Sequence, residues 1–247
     1  MDLEVKYLLE DFPFHYRPGT SDERVIEEVL NFKMYRRVRI GFDVSQGEHW
    51  LDLGANIGAF AAYCRLAGAT CDCYEPEQGC FKLLRKNTPG MLCRQMAVTN
   101  LWEDTLTFWT SEKPHQYTRG TIYPNRTTKL KTEVDNLHGS YFTKKRYDGI
   151  KVDVEGAEAG LIDEWLFPQC DKLCLEYHTS RHRSMENLGK RLSLLKAKFN
   201  HVHYSKDIDR IVALGGRRKT HLDRVIFCWN DKRGGNPSPH GKRVTSP

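Results

Sequence analysis

The sequence predicts an α/β fold: a mostly parallel central sheet, helices on both faces, and an antiparallel hairpin closing one edge. Three observations carry this. Short apolar runs alternate with helix-period segments from Trp50 to Phe199, the rhythm of strand–helix units that build a parallel sheet. Two runs end in turns rich in glycine and acid that open a helix, Asp52-Leu53-Gly54-Ala55-Asn56-Ile57-Gly58 and Asp153-Val154-Glu155-Gly156-Ala157-Glu158. The last strand-like runs, 201–204 and 225–229, have no long helix between them, as an antiparallel pair requires.

Each element follows from its residues. Residues 1–20 read as an irregular arm. Thr20-Ser21-Asp22-Glu23 can cap a helix in which Val25, Ile26, Val29, Leu30 and Phe32 share a face and which ends near Tyr35. A strand over 50–53 leads into a helix over 59–66, stopped at Gly68. A strand over 70–74 precedes a helix over 81–85, broken by Pro89-Gly90, and a strand over 92–98. Residues 105–109 alternate as an exposed strand. Residues 110–128 are polar and aperiodic, with Pro114, Gly120 and Pro124, and a loop of that length in a compact domain is usually functional or mobile. Further strands are expected over 130–134, 147–154 and 173–177, and helical spacing marks 157–165 and 189–199, the latter with Leu192, Leu195 and Phe199 on one face. Residues 211–214 read as one more strand. From Gly234 on, glycine, proline, serine and basic residues predict a disordered tail. The expected organisation is an arm and cap helix over 1–45, a main domain over 46–232 and a basic tail over 233–247.

A chain of 247 residues fits one such domain. The formal charge is +6, with the excess late in the chain, among Arg210, Arg217, Arg218, Lys219, Arg224, Lys232, Arg233, Lys242 and Arg243. A basic end can attract nucleic acid or another anion. Five of the eight cysteines lie in apolar strand or helix patterns and no Cys-x-x-Cys pair occurs, so neither disulfides nor zinc is expected. Cys71 and Cys73 are read as facing opposite sides of their strand. The N-terminus lacks the features of a signal peptide and no apolar run reaches membrane-spanning length. The expected setting is cytoplasmic.

The first turn and Glu75 form one constellation. Glu75 ends the next strand, 21 residues after Gly54, near the offset at which a carboxylate reaches a ribose hydroxyl. A dinucleotide turn wants Gly-x-Gly-x-x-Gly, because a pyrophosphate sits on bare backbone. Here Asn56 takes the middle glycine position and Asp52 precedes the turn. A carboxylate at the cleft repels pyrophosphate and suits the amino group or sulfonium of S-adenosylmethionine. The second constellation is Lys151, Asp153 and Glu155 at one strand end, Glu158 at the next helix start, and Glu176 and His178 at the end of the following strand. Ionisable groups there are costly to desolvate without a role.

These four segments, Asp52 to Gly58, Tyr74-Glu75-Pro76, Lys151 to Glu158 and Leu175-Glu176-Tyr177-His178, together resemble the FkbM-type methyltransferases. The segments Arg17 to Asp22 and Leu130 to Leu137, which contains Asp135, match in position. The resemblance implies a Rossmann-like class I methyltransferase fold and O-methylation of a hydroxyl on a small molecule or glycan. By position it implies that Asp52, Gly54, Asn56 and Gly58 hold the methionine moiety of S-adenosylmethionine. Glu75 would hold the ribose, and Ala97, within Met96-Ala97-Val98, would lie beside adenine. Asp153 would sit next to the methyl group, with Glu155, Glu158, Glu176 and His178 on the acceptor side. Asp153 or His178 is expected to take the acceptor's proton while Glu155 or Glu176 orients it. Asp153 with Glu176 could hold Mg²⁺, but no metal is assigned. The alternatives are a nucleic-acid methyltransferase using the basic C-terminal region, a non-catalytic binding module, and an NAD(P)-linked oxidoreductase, which Asp52 and Asn56 disfavour.

Overall fold

The computed structural model describes residues 5–9, 12–112, 120–123, 129–178, 187–204 and 225–231. Its strands are β1 (Val5–Leu9), β2 (Phe12–Tyr16), β3 (His49–Leu53), β4 (Thr70–Tyr74), β5 (Leu92–Arg94), β6 (Ala97–Thr99), β7 (Thr105–Thr110), β8 (Leu130–His138), β9 (Gly149–Val152), β10 (Lys172–Glu176), β11 (His201–His203) and β12 (Val225–Trp229). The helices are α1 (Ser21–Ile26), α2 (Ala59–Leu66), α3 (Gln78–Asn87), α4 (Glu158–Asp163) and α5 (Leu188–Lys198).

Seven strands form the central sheet in the order β11-β12-β10-β9-β3-β4-β5. The pairs β3·β4, β3·β9, β4·β5 and β9·β10 are parallel, and β12 runs antiparallel to both β10 and β11. The expected antiparallel hairpin is therefore present at that edge, with the later strand on the inside. Central strands buried on both faces read as nearly continuous apolar runs, as β3 and β9 do. Alternation divides their side chains between two cores. Trp50, Cys71, Cys73 and Cys174 face α2, α3 and the N-terminal segment. Leu51, Leu53, Ile150, Val152, Leu173 and Leu175 face α4 and α5. Cys71 and Cys73 thus lie on one face, not opposite faces as expected: residues two apart in a strand share a side. All eight cysteines are free thiols.

The boundaries of α2, β4 and β12 are those expected. Other regions differ. Residues 5–9 and 12–16 pair as an antiparallel hairpin instead of an irregular arm. Phe14 is fully buried, and Asn87 of α3 grips His15 from both sides, accepting from its N–H at 2.6 Å and donating to its carbonyl at 2.9 Å. The expected strand over 92–98 is two strands. β5 ends the main sheet, and β6 joins β8 and β7 in a separate sheet. β8 runs on to His138 because its first part pairs antiparallel with β7 and its last part parallel with β6.

The cap helix begins as read, with Thr20 Oγ1 accepting from the Asp22 N–H and Glu23 from the Gly19 N–H, a reciprocal cap. It continues as a π turn over Glu27–Asn31 and ends short of Tyr35. The expected strand over 211–214, the tail from 233 and most of loop 110–128 lie outside the described residues.

Candidate active site

A cleft opens at the carboxyl ends of β3, β4 and β9, where ligands of doubly wound sheets bind. Its lining includes Gly54, Asn56, Glu75 and Ala97, the cofactor end of the sequence reading, and Asp153 and Glu155, the acceptor end. Phe108 of β7 and Ile122 supply an apolar wall; neither residue was singled out from sequence. The only signal for it was the long loop after an alternating strand. That loop is tied to the site: Thr121 pairs with Trp109 through both backbone groups, and its hydroxyl donates to the Glu155 carbonyl at 2.8 Å.

The first turn is shaped by contacts within the protein. Gly54 has φ +79, and a Cβ there would lie 1.8 Å from the Asp153 carbonyl oxygen. Its close approach is therefore to the neighbouring turn, which no side chain would allow. Gly58, with φ +90, caps α2 and sits against Leu84. Asn56 is also left-handed, at φ +52, and its N–H donates to Glu75 Oε2 at 2.8 Å. The other Glu75 oxygen accepts from the Glu77 N–H at 2.9 Å. Glu75 is thereby locked at the strand end. Burial raises its carboxyl to about 7, against the opposing pull of those two N–H groups.

Asp52 lies elsewhere than the sequence reading placed it. Its side chain is fully buried beneath the turn and does not line the cleft. It stands beside Lys151, its register partner on β9, with Nζ 3.1 Å away. Burial raises the Asp52 carboxyl and Lys151 opposes the rise. Burial would lower Lys151, but Asp52 and Asp153 hold its ammonium charged. The same Nζ donates to the Gly54 carbonyl at 2.6 Å and lies 3.9 Å from Asp153 Oδ2. Lys151 thus bolts the first turn to the second.

The structure brings Asp153, Glu155, Glu176 and His178 together. His178 Nε2 lies 3.4 Å from Glu155 Oε2 and 3.8 Å from both Asp153 Oδ1 and Glu176 Oε1. Its Nδ1 is 3.1 Å from Oε1 of Glu158, which is fully buried and accepts the His178 and Gly156 N–H groups. Burial would depress the imidazole, but Glu155, Glu158 and Asp153 raise it well above its ordinary value. That shift runs against the sequence expectation of a base poised near neutrality. His178 in turn holds Glu158 below the usual carboxylate range, against burial. Tyr35, absent from the sequence-derived set, places its hydroxyl 3.3 Å from Asp153 Oδ2 and 3.5 Å from Glu176 Oε2.

Sheet order, the antiparallel β12 and a cleft between glycine-rich and acidic strand ends define a Rossmann-like class I methyltransferase domain. A family model described as "Methyltransferase FkbM domain" matches residues 52–203, and the chain belongs to that family. S-adenosylmethionine is the cofactor. No curated protein matches the sequence.

Solved structures that resemble it include the T. thermophilus 16S rRNA N2 G1207 methyltransferase RsmC with AdoMet and guanosine, 14% identical, TM-score 0.42, covering 93% of this chain and 50% of that one. Another is a TehB-like SAM-dependent methyltransferase from Corynebacterium glutamicum, 10% identical, TM-score 0.39, covering 85% and 97%. A third is the Synechocystis magnesium protoporphyrin IX methyltransferase ChlM with bound SAH, 11% identical, TM-score 0.36, covering 85% and 84%. The chain thus spans half the length of RsmC. Its assignment rests on the family match and not on these distant likenesses. Among the described residues, no helix is long and apolar enough to cross a membrane.

Proposed function

We propose that this chain transfers a methyl group from S-adenosylmethionine to a hydroxyl on a small molecule or glycan. The observation that carries the acceptor class is the convergence of Asp153, Glu155 and Glu176 beside the cleft. Carboxylates accept hydrogen bonds from hydroxyl donors, and they repel phosphates. The basic residues that would favour a nucleic-acid acceptor, Arg210 to Arg224 and the tail, lie outside the described residues.

The cleft's donor set fits the cofactor. Glu75 suits ribose hydroxyls. Ala97 is small enough to admit a flat base, and Phe108 and Ile122 supply apolar walls. Gly54 and Asn56 offer backbone to the methionine end. Asp52 and Gly58 act from beneath, by fixing Lys151 and α2. When bound, the cofactor supplies a methyl group made electrophilic by a sulfonium. The protein then has to align the acceptor oxygen and remove its proton. Asp153 lines the cleft and Glu176 stands beside it, both within reach of the Tyr35 hydroxyl. These two carboxylates orient the hydroxyl and receive its proton. Glu158 and His178 hold the acidic group in place.

The test is methyl transfer from isotopically labelled S-adenosylmethionine to a panel of glycosides, polyols and RNA. Label appearing in a base-stable ether on a polyol or glycoside supports the reading. Label appearing only in RNA overturns it.

A further inference from the structure

We propose that Asp153, Glu155 and His178 bind one divalent first-row transition-metal ion at the acceptor end of the cleft; only the ion's role in turnover rests on the methyltransferase reading. The three side chains come from two strand ends and the turn between them. Their ligand atoms, one oxygen from each acid and His178 Nε2, lie within 4.8 Å of one another. The group is more than a cluster of acids, because its centre is an imidazole whose side chain is 8% exposed.

The spacing is informative. His178 Nε2 is 3.4 Å from Glu155 and 3.8 Å from Asp153. Hydrogen-bonded ion pairs close to about 2.7–2.9 Å. A bound ion holds nitrogen and oxygen ligands at about 2.0–2.2 Å, which sets those ligands about 3–4 Å apart. Oδ1 of Asp153 is itself shielded from solvent and accepts no hydrogen bond in the structure, a costly arrangement unless something meets that atom. On the far side of the ring, Nδ1 is fixed by the fully buried Glu158. This is how metal-bound histidines are oriented: a carboxylate on one nitrogen leaves the other pointing at the ion.

Two carboxylates and one imidazole leave coordination positions open. They favour manganese, iron or zinc over magnesium, which prefers oxygen alone. Glu176 Oε1, 3.8 Å from Nε2, stands just outside the triad. An acceptor hydroxyl in an open position would be turned toward the cleft and made more acidic. The other place where ligand types converge among the described residues, Asp52 with Cys71 and Cys73, already has the Lys151 ammonium 3.1 Å from its carboxylate.

The full chain should be titrated with Mn²⁺ alone, followed by loss of the free-ion EPR signal and by calorimetry. S-adenosylhomocysteine is titrated into the same preparations. One ion per chain is expected, weakened about tenfold or more in Glu155→Gln and in Asp153→Asn, with S-adenosylhomocysteine still binding both variants. No uptake at millimolar Mn²⁺, or uptake unchanged in both variants, overturns the metal site. Failure of S-adenosylhomocysteine alone to bind sinks the methyltransferase reading and leaves the metal result standing.

Discussion

The two ends of the cleft solve opposite electrostatic problems. At the cofactor end, charge is met by the protein itself: Glu75 accepts two backbone N–H groups and Asp52 is answered by Lys151. At the acceptor end, Asp153, Glu155 and Glu176 stand 3.4 to 3.8 Å from one imidazole nitrogen, and the Tyr35 hydroxyl reaches two of them. The first end sets its acids against backbone N–H groups and an ammonium; the second gathers its acids around one imidazole and one phenol.

Four substitutions can break or sharpen that contrast. The largest effect is expected at Asp153. Asp153→Ala should lower methyl transfer by about a thousandfold, on the scale of a lost general base, while S-adenosylhomocysteine affinity changes only a few-fold. Full turnover with donor binding intact would remove Asp153 from the reacting end.

Lys151→Met should act on stability. It leaves Asp52 as an uncompensated buried charge, and breaking such a pair costs about 3–5 kcal/mol, read by urea denaturation. A loss below 1 kcal/mol would show that the cofactor end is not held by this pair.

Glu75→Gln should weaken S-adenosylhomocysteine by roughly tenfold or more, the scale of a hydrogen bond to a charged group. The pH dependence follows from burial, which raises Glu75 to about 7. Below that value the carboxyl is neutral and a weaker acceptor than the carboxylate, so affinity should rise with pH from about 6 to 8 and level off. In the Gln variant calorimetry should give a flat profile over the same range.

The smallest effect is expected at the cap. Thr20→Ala removes the Oγ1 acceptor of the Asp22 N–H and should cost about 1 kcal/mol without altering ligand affinity.

What the sequence disclosed depended on how local the cause was. α2 and β4 were legible because apolar runs are bounded by Gly54, Gly58 and Gly68, which punctuate the chain wherever the rest of it goes. The N-terminal hairpin was hidden by Pro13, which demotes a strand reading but is tolerated in a two-stranded ribbon. The split between β5 and β6 has no marker at Gln95-Met96. The chain bends there because β6 finds its partner in β8, some forty residues later. At the site, chemistry was easier to read than position. Asp153, Glu155, Glu176 and His178 were found by type and spacing and do meet. Asp52 was taken for a rim residue because the register that sets it beside Lys151 is a property of two strands a hundred residues apart. Phe108 and Ile122 reach the cleft, and Tyr35 reaches Asp153, from segments whose own patterns carry no chemistry.

The central claim is that the cofactor end of the cleft binds a sulfonium-bearing nucleoside. The most direct measurement is a calorimetric titration of the full chain with S-adenosylhomocysteine, with S-adenosylmethionine in parallel. The account predicts saturable binding of one molecule per chain that is weakened by Glu75→Gln. No heat of binding from either ligand at millimolar concentration would contradict it.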